Sequence, residues 1–411
     1  MKDLEALQRD YARLLIREGL NIQPGQRLAI KCPVDCAAFG RLCAEAAYDA
    51  GCSEVLIRWG DDALARMKYL RASDEVFDRV DPWDVLMSDT LTAEGAGALS
   101  ISASDPEMLK GVDGDRIRRY QIAAGKAMEK IQERGMRNEY PWCVCSIPTP
   151  VWAKKVFPDL PEDEAVTRLW EEILKACRVD GVDAVAAWQK HNAELQKHVE
   201  FMNRHNFKSL HYTNSLGTDL TLELPEGHFW AGGAEKCVTS GIMFSANIPT
   251  EEVFTLPKRD SVNGVVYASK PLVLHGNVIE GIRFTFKDGK IVDARADTGE
   301  DILRDAIAVD EGASYLGEVA LVPYDSPINA SGVLFFNTLF DENASCHLAF
   351  GDSYPCIRGS ESMTGEQLAA LGANKSMMHE DFMVGTADLS IVGTTHDGEK
   401  IPVFVNGNFA F

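Results

Sequence analysis

In the second half of the chain, acidic and histidine side chains stand at four places among apolar or turn-forming neighbours. These residue types bind divalent cations and move protons. NIPTEEVFT at 247–255 puts Glu251 and Glu252 at the start of a strand. Successive strand residues face opposite ways, so only one of the pair can address a given site. The alternation favours Glu252, with Phe254 on its face and Val253 on the other. YLGEVALV at 315–322 holds one carboxylate, Glu318, in an otherwise apolar strand. A buried Glu with no partner costs several kcal/mol, so Glu318 must be paired, protonated or metal-bound.

LFDENASCHLAFGDSYP at 339–355 carries Asp341, Glu342, His347, Asp352 and Tyr354. Asp341 reads as the N-cap of a short helix entered by Asn343 and Ala344. In a regular helix Glu342 and His347 would lie about 140° apart at roughly 100° per residue. Either the helix begins after Glu342, or only His347 is a direct ligand. SMMHEDFMVG at 376–385 reads as a strand, and its i, i+2 spacing puts His379 and Asp381 on one face. That pair is a compact two-donor arm for a cation.

Each of these residues alone has an ordinary reading as a solvated Glu, a satisfied core His or a loop Tyr. Together, their carboxylates and imidazoles match the donors of zinc, cobalt or manganese, and they do not match a thiolate structural zinc site. Five or six donors exceed the need of one ion, which favours two cations sharing a bridging carboxylate.

The elements that must position these residues fall into two halves. Up to about residue 205, helical and strand periods alternate. A helix over 3–18 stops at Gly19, and QRLAIKC at 26–32 is a strand. Asp35 then caps a helix running to Ala50, and EVLIRW at 54–59 is the next strand. Further strands are expected at GALSISA (97–103) and WCVCSIP (142–148), and helices at about 162–177 and 181–205. An open, mainly parallel α/β sheet is the natural assembly of residues 1–205.

From 206 to 411 the texture becomes short apolar alternations: KSLHYTN, LTLELP, NGVVYAS, KPLVLHG, IRFTFKDGKIVDARA and GEVALVP. Asp-Gly within KDGK at 287–290 signals a tight hairpin. This half reads as a mostly antiparallel, β-rich domain that carries the candidate ligands.

The 41 basic and 62 acidic residues leave a formal charge of −21, whose field repels polyanions and argues against nucleic-acid binding. The first strand leads into KCPVDCAAFG, which has neither GxGxxG nor GxxxxGK[ST], so the α/β half lacks a phosphate-binding loop. No apolar run approaches the roughly 18–20 residues that span a bilayer, and the N-terminus has no apolar signal core. A cytoplasmic protein without a membrane partner is expected. The ten cysteines are scattered without paired CxxC units and read as buried, reduced thiols. Cys143 and Cys145 should share one strand face, where a local disulfide would be strained.

Four of these stretches, NIPTEEVFT, LGEVALV, DENASCHLAFG and NKSMMHEDFMVG, occur in an order and at separations that resemble the M29 family of metalloaminopeptidases. The likeness extends more loosely along the chain and includes WAGG at 230–233. It implies an N-terminal α/β domain, a C-terminal β-rich catalytic domain with two divalent cations, a homodimer, and removal of N-terminal residues from peptides. By this resemblance Glu252 falls on a metal-binding carboxylate and Glu318 on the bridging one. His347, His379 and Asp381 fall on the remaining ligands, and Tyr354 on a tyrosine close to the metals. Glu342 falls on an acidic position that is either ligand or general base. The implied cations are two per chain, of zinc, cobalt, magnesium or manganese.

The expected mechanism is hydrolysis by a water that the two cations activate, with Tyr354 donating to the oxyanion and Glu342 relaying a proton. Two other readings fit the same residues: a dinuclear amidohydrolase acting on a non-peptide amide, and a binding protein in which the ions are buried and coordinatively closed.

Overall fold

The computed structural model describes residues 3–103, 105, 108–179, 183–274 and 277–411. The expected helix start at Gly181 and the His275–Gly276 end of KPLVLHG lie outside them. The described chain forms two compact units: residues 1–192 with 234–250, and residues 193–233 with 251–411.

The first unit is built on a parallel sheet of strands β1 (Arg27–Pro33), β2 (Glu54–Gly60), β3 (Gly97–Ile101) and β4 (Trp142–Cys145), in the order β2-β1-β3-β4. Alternation places Leu28, Ile30 and Cys32 in the core. Helices Leu4–Leu14 and Ala37–Asp49 flank the early strands, and Glu162–Ala176 follows the last. Asp3 caps the first helix by accepting a 2.8 Å hydrogen bond from the Ala6 N–H. Asp35 is not the cap expected of it. After Pro33 the chain turns through a 3₁₀ segment, Val34–Cys36, so Asp35 lies inside that turn and Cys36 precedes the α-helix. All ten cysteines are buried and none is in a disulfide, with Cys143 and Cys145 on one face of β4.

Residues 234–250 belong to the first unit for a reason that local periodicity does not carry. The Val144 N–H donates to Ala246 O at 2.7 Å and the Ile248 N–H to Val144 O at 3.0 Å, extending the sheet beyond β4. The division of the chain therefore differs from the change of texture near 205. Helix Ala184–His205 spans the step from Asn192 to Ala193, and the later segment returns.

The second unit is antiparallel. An eight-stranded sheet includes strands Ser209–Thr213, Asp219–Glu223, Asn263–Tyr267 and Ser390–Thr394, and ends on one side in the hairpin Arg283–Lys287/Lys290–Arg295. That hairpin turns at Asp288 and Gly289 with φ of 50° and 84°, as its Asp-Gly pair requires.

A second, five-stranded sheet contains β5 (Ala231–Gly232), β6 (Val253–Thr255), β7 (Leu316–Leu321), β8 (His347–Gly351) and β9 (His379–Met383), in the order β9-β8-β7-β6-β5. One of its faces supplies Val253, Val319, Leu321, Leu348, Phe350 and Phe382 to the large core of this unit. The other face has a smaller cluster that includes Phe254, Leu256 and Ala320. The chain is thus a mixed α/β protein with one parallel sheet and a large antiparallel one.

Candidate metal centre

Register along the five-stranded sheet assembles the site. Glu318 on β7 is opposite Ala349 on β8, and Ala349 is opposite Asp381 on β9. Ala320 pairs with His347, and Gly351 with His379. Glu318, His347, His379 and Asp381 therefore share one face, because side chains two apart on a strand point the same way. Ala320, Ala349 and Gly351 fill the positions between them with little or no side chain. Glu252 enters just before β6, with Phe254 in the small cluster and Val253 in the large core. Gly232 of WAGG lets β5 approach this point, since a Cβ there would lie 2.5 Å from the Glu252 carbonyl oxygen.

The sequence left the relation of Glu342 to His347 open, and the backbone resolves it. Asp341 stands at the N-cap position of the 3₁₀ turn Glu342–Ala344, but its side chain makes no capping hydrogen bond to that turn. It ends a short helix, Thr338–Asp341, which Asn337 caps, and its carboxylate accepts hydrogen bonds from the Phe335 and Asn337 N–H groups. A 3₁₀ turn, Glu342–Ala344, follows, and the chain is extended at Ser345 before β8. His347 thus stands on a strand and Glu342 on a turn, so helical geometry never separates them.

The contacts are short. His347 Nε2 lies 3.1 Å from Glu252 Oε2 and 4.0 Å from Asp381 Oδ1. His379 Nε2 lies 3.0 Å from Glu318 Oε2 and 3.4 Å from Asp381 Oδ1. Each imidazole donates through Nδ1 to a backbone carbonyl, His347 to Glu342 O and His379 to Asp352 O, both at 2.8 Å. Those bonds fix the tautomer that turns Nε2 toward the carboxylates, as in rings that ligate metals.

Electrostatics show how crowded this face is. Burial pulls the His347 imidazole down, but the hydrogen bond and charge of Glu252, with Asp381 and Glu318, outweigh it and push it up to about 10. Burial likewise opposes the charge on His379, yet Asp381 and Glu318 hold it well above its usual value. Burial raises Glu318 despite His379, whereas the two imidazoles overcome burial at Asp381 and hold it low. The half-buried Glu342 is pushed far up by desolvation and by the charges of Asp381 and Glu252, and it lies within hydrogen-bonding reach of Asp381. The ring of Tyr354 meets His379 edge-on at 5.5 Å, and burial beside four carboxylates keeps its phenol protonated.

Two triplets have donor atoms within 4.8 Å of one another: Glu252, Glu318 and His347, and Glu318, His379 and Asp381. Glu318 belongs to both. Asp381 Oδ1 is buried with no hydrogen-bond partner, the state of a donor atom that a cation would satisfy. Oxygen and imidazole donors in this number suit a divalent cation, and no cysteine takes part in either triplet. Asn343, whose amide lies between Glu251 and Glu342, is not among the residues that the sequence marks. Its only local signal was an amide in a turn next to an acidic residue.

The sequence matches the family described as thermophilic metalloprotease (M29) over residues 4–409. The chain belongs to the M29 family. Among M29 relatives it is 46% identical to aminopeptidase AmpS of Bacillus subtilis over 402 residues, 98% of each chain. It is 42% identical to aminopeptidase T of Thermus aquaticus, with 97% of each chain covered. The solved structure of wild-type AmpT from Thermus thermophilus aligns over the full length of both chains with a TM-score of 0.92 and 40% identity. Among the described residues no helix is long and apolar enough to cross a membrane.

Proposed function

We propose that this M29 chain is a metal-dependent aminopeptidase, releasing N-terminal residues from peptides with two divalent cations held around a shared Glu318. The observation that carries this reading is the pair of donor triplets with Glu318 in common. Glu252 and His347 would complete one site and His379 and Asp381 the other. Relatives that align along almost all of the chain and are named aminopeptidases support the reaction class.

When bound, two such cations polarise a scissile carbonyl and lower the pKa of a shared water toward neutrality. The residues of the chain do the rest. Glu342 accepts the water's proton and passes it to the leaving amine, a role suited to a carboxyl pushed upward by burial and neighbouring charge. Tyr354, kept protonated, donates to the oxygen that becomes negative in the tetrahedral state. In this reading the free α-amino group would bind at one of the cations, so a peptide with a blocked terminus would lose that contact. Residues 206–411 would then form the catalytic part. Ten buried cysteines with no disulfide among them favour a reducing, cytoplasmic setting, and family resemblance favours a homodimer.

Hydrolysis of an aminoacyl anilide and its Nα-acetyl counterpart, before and after chelation, tests the reading. Activity on the free amine alone, abolished by chelator and restored by cobalt or zinc, is expected. Equal turnover of the acetylated substrate would point to a general amidohydrolase, and chelator-resistant turnover would overturn the metal.

A further inference from the structure

Asn343 is fully buried in the turn between Glu342 and β8. Its Oδ1 accepts the Glu251 N–H at 2.7 Å. Its Nδ2 donates to Leu339 O at 3.0 Å and to Glu342 Oε1 at 3.3 Å. These partners fix the orientation of the amide. An N–H faces one end, while a carbonyl and a carboxylate face the other, so a flipped amide would lose all three bonds.

One side chain therefore joins two segments 92 residues apart in sequence. It holds the backbone immediately before Glu252 and the carboxylate of Glu342. The adjoining residues brace the same turn: Asp341 takes the Phe335 and Asn337 N–H groups, and the Glu342 carbonyl takes the His347 ring proton. Glu252, Glu342 and His347 are thus set relative to one another through three consecutive residues, 341–343.

We propose that Asn343 is a positioning residue of the metal centre: it holds the backbone that carries Glu252, a candidate ligand, and the carboxylate of Glu342, the proposed proton carrier beside it. The proposal rests on the reading of this site as a metal centre. Ala at this position, or Leu with the same branched heavy-atom skeleton but bulkier methyl ends, lacks both the acceptor for Glu251 and the donor for Glu342. A role confined to satisfying Leu339 and Glu251 would change stability but leave the assembled centre as it was. Partners that orient metal ligands typically change affinity or activity by about 10–100-fold.

The test uses the full-length protein, stripped by chelator and titrated with cobalt, with heat of binding and the visible cobalt absorption as readouts, followed by kcat and KM on the reloaded enzyme. Wild type, Asn343→Ala and Asn343→Leu are compared with Phe404→Leu, a core change outside the five-stranded sheet that also lowers stability. Leu fills most of the space that Ala leaves empty, so the Leu variant gives the answer if the Ala variant does not fold. The expected result is cobalt binding weaker by about 10–100-fold, a shifted cobalt spectrum and a fall in kcat greater than the change in KM. Phe404→Leu should keep the wild-type spectrum and affinity. A folded Asn343→Leu with wild-type affinity, spectrum and kcat would overturn the positioning role while leaving the metal centre standing. A wild-type chain that takes up no cobalt would overturn the metal-centre reading, and this inference with it.

Discussion

Glu318 and Asp381 stand on alternate strands of one antiparallel sheet, both in register with Ala349, which lies between them. The pairing rows of the sheet thus set the spacing of two acidic side chains, and the small residue between leaves them free to converge. Ala349→Val adds bulk at that point. Cross-strand neighbours on one face sit about 4.5–5.5 Å apart at Cβ, so the new methyl groups would meet both carboxylates. Cobalt affinity should fall at least about tenfold while the overpacked fold loses about 1–3 kcal/mol. Titration calorimetry and thermal melts of the same sample check this, and unchanged affinity would show that the row does not set the ligand spacing.

Glu318→Gln removes the charge that both triplets share. Metal content per chain should drop, and activity should fall by more than the roughly 100-fold that loss of an orienting partner costs. Elemental analysis beside a rate assay decides it. An inactive variant that still holds two ions per chain would contradict the bridging role.

Tyr354→Phe keeps the ring that packs on His379 and Phe254 and deletes only the hydroxyl. Loss of an oxyanion donor costs about 100-fold to 1,000-fold in kcat. Steady-state kinetics should show that fall with the metal content intact. Turnover retained within a few-fold would assign Tyr354 to packing alone.

The chelated protein should lose stability as pH rises from neutral toward 10. From about 6.5 in the unfolded chain, and against the opposing effect of burial, His347 is pushed up to about 10 in the metal-free fold by Glu252, Asp381 and Glu318. A raised imidazole adds stability that is complete below the unfolded value and disappears as pH climbs through the folded one. Glu318 and Glu342, also raised, act in the same direction above the unfolded carboxyl range. Asp381 is held low, so its contribution changes only in acid. Cation binding needs neutral imidazoles, so cobalt uptake should release protons and tighten with pH. Calorimetric scans of chelated protein at pH 7 and 9, and cobalt titrations in buffers of different ionisation enthalpy, measure both effects. A chelated Tm that rises between those pH values would contradict the assignment.

Local rules made much of this site legible. A period of two put His379 and Asp381 on one face, a lone carboxylate in an apolar strand picked out Glu318, and Asp-Gly marked the hairpin at 288–289. The misreadings arose where the backbone is set by distant partners. Asp341 looked like a cap because it precedes Asn343 and Ala344, yet its carboxylate is bound to the N–H groups of residues 335 and 337, which lie before it. Asp35 was displaced by a 3₁₀ turn after Pro33. The return of residues 234–250 to the first unit depends on hydrogen bonds to Val144, about a hundred positions earlier, which no short window contains. Asn343 carries no local signal of its role for the same reason, because its acceptor role is toward Glu251, 92 positions earlier.

The most direct test of the account is an anomalous-scattering map from crystals of the protein loaded with cobalt or zinc. Two peaks per chain are expected, one beside Glu252 and His347 and one beside His379 and Asp381. Both should lie within about 2.0–2.2 Å of Glu318 carboxylate oxygens. A single peak, or two peaks that do not share Glu318, would contradict it.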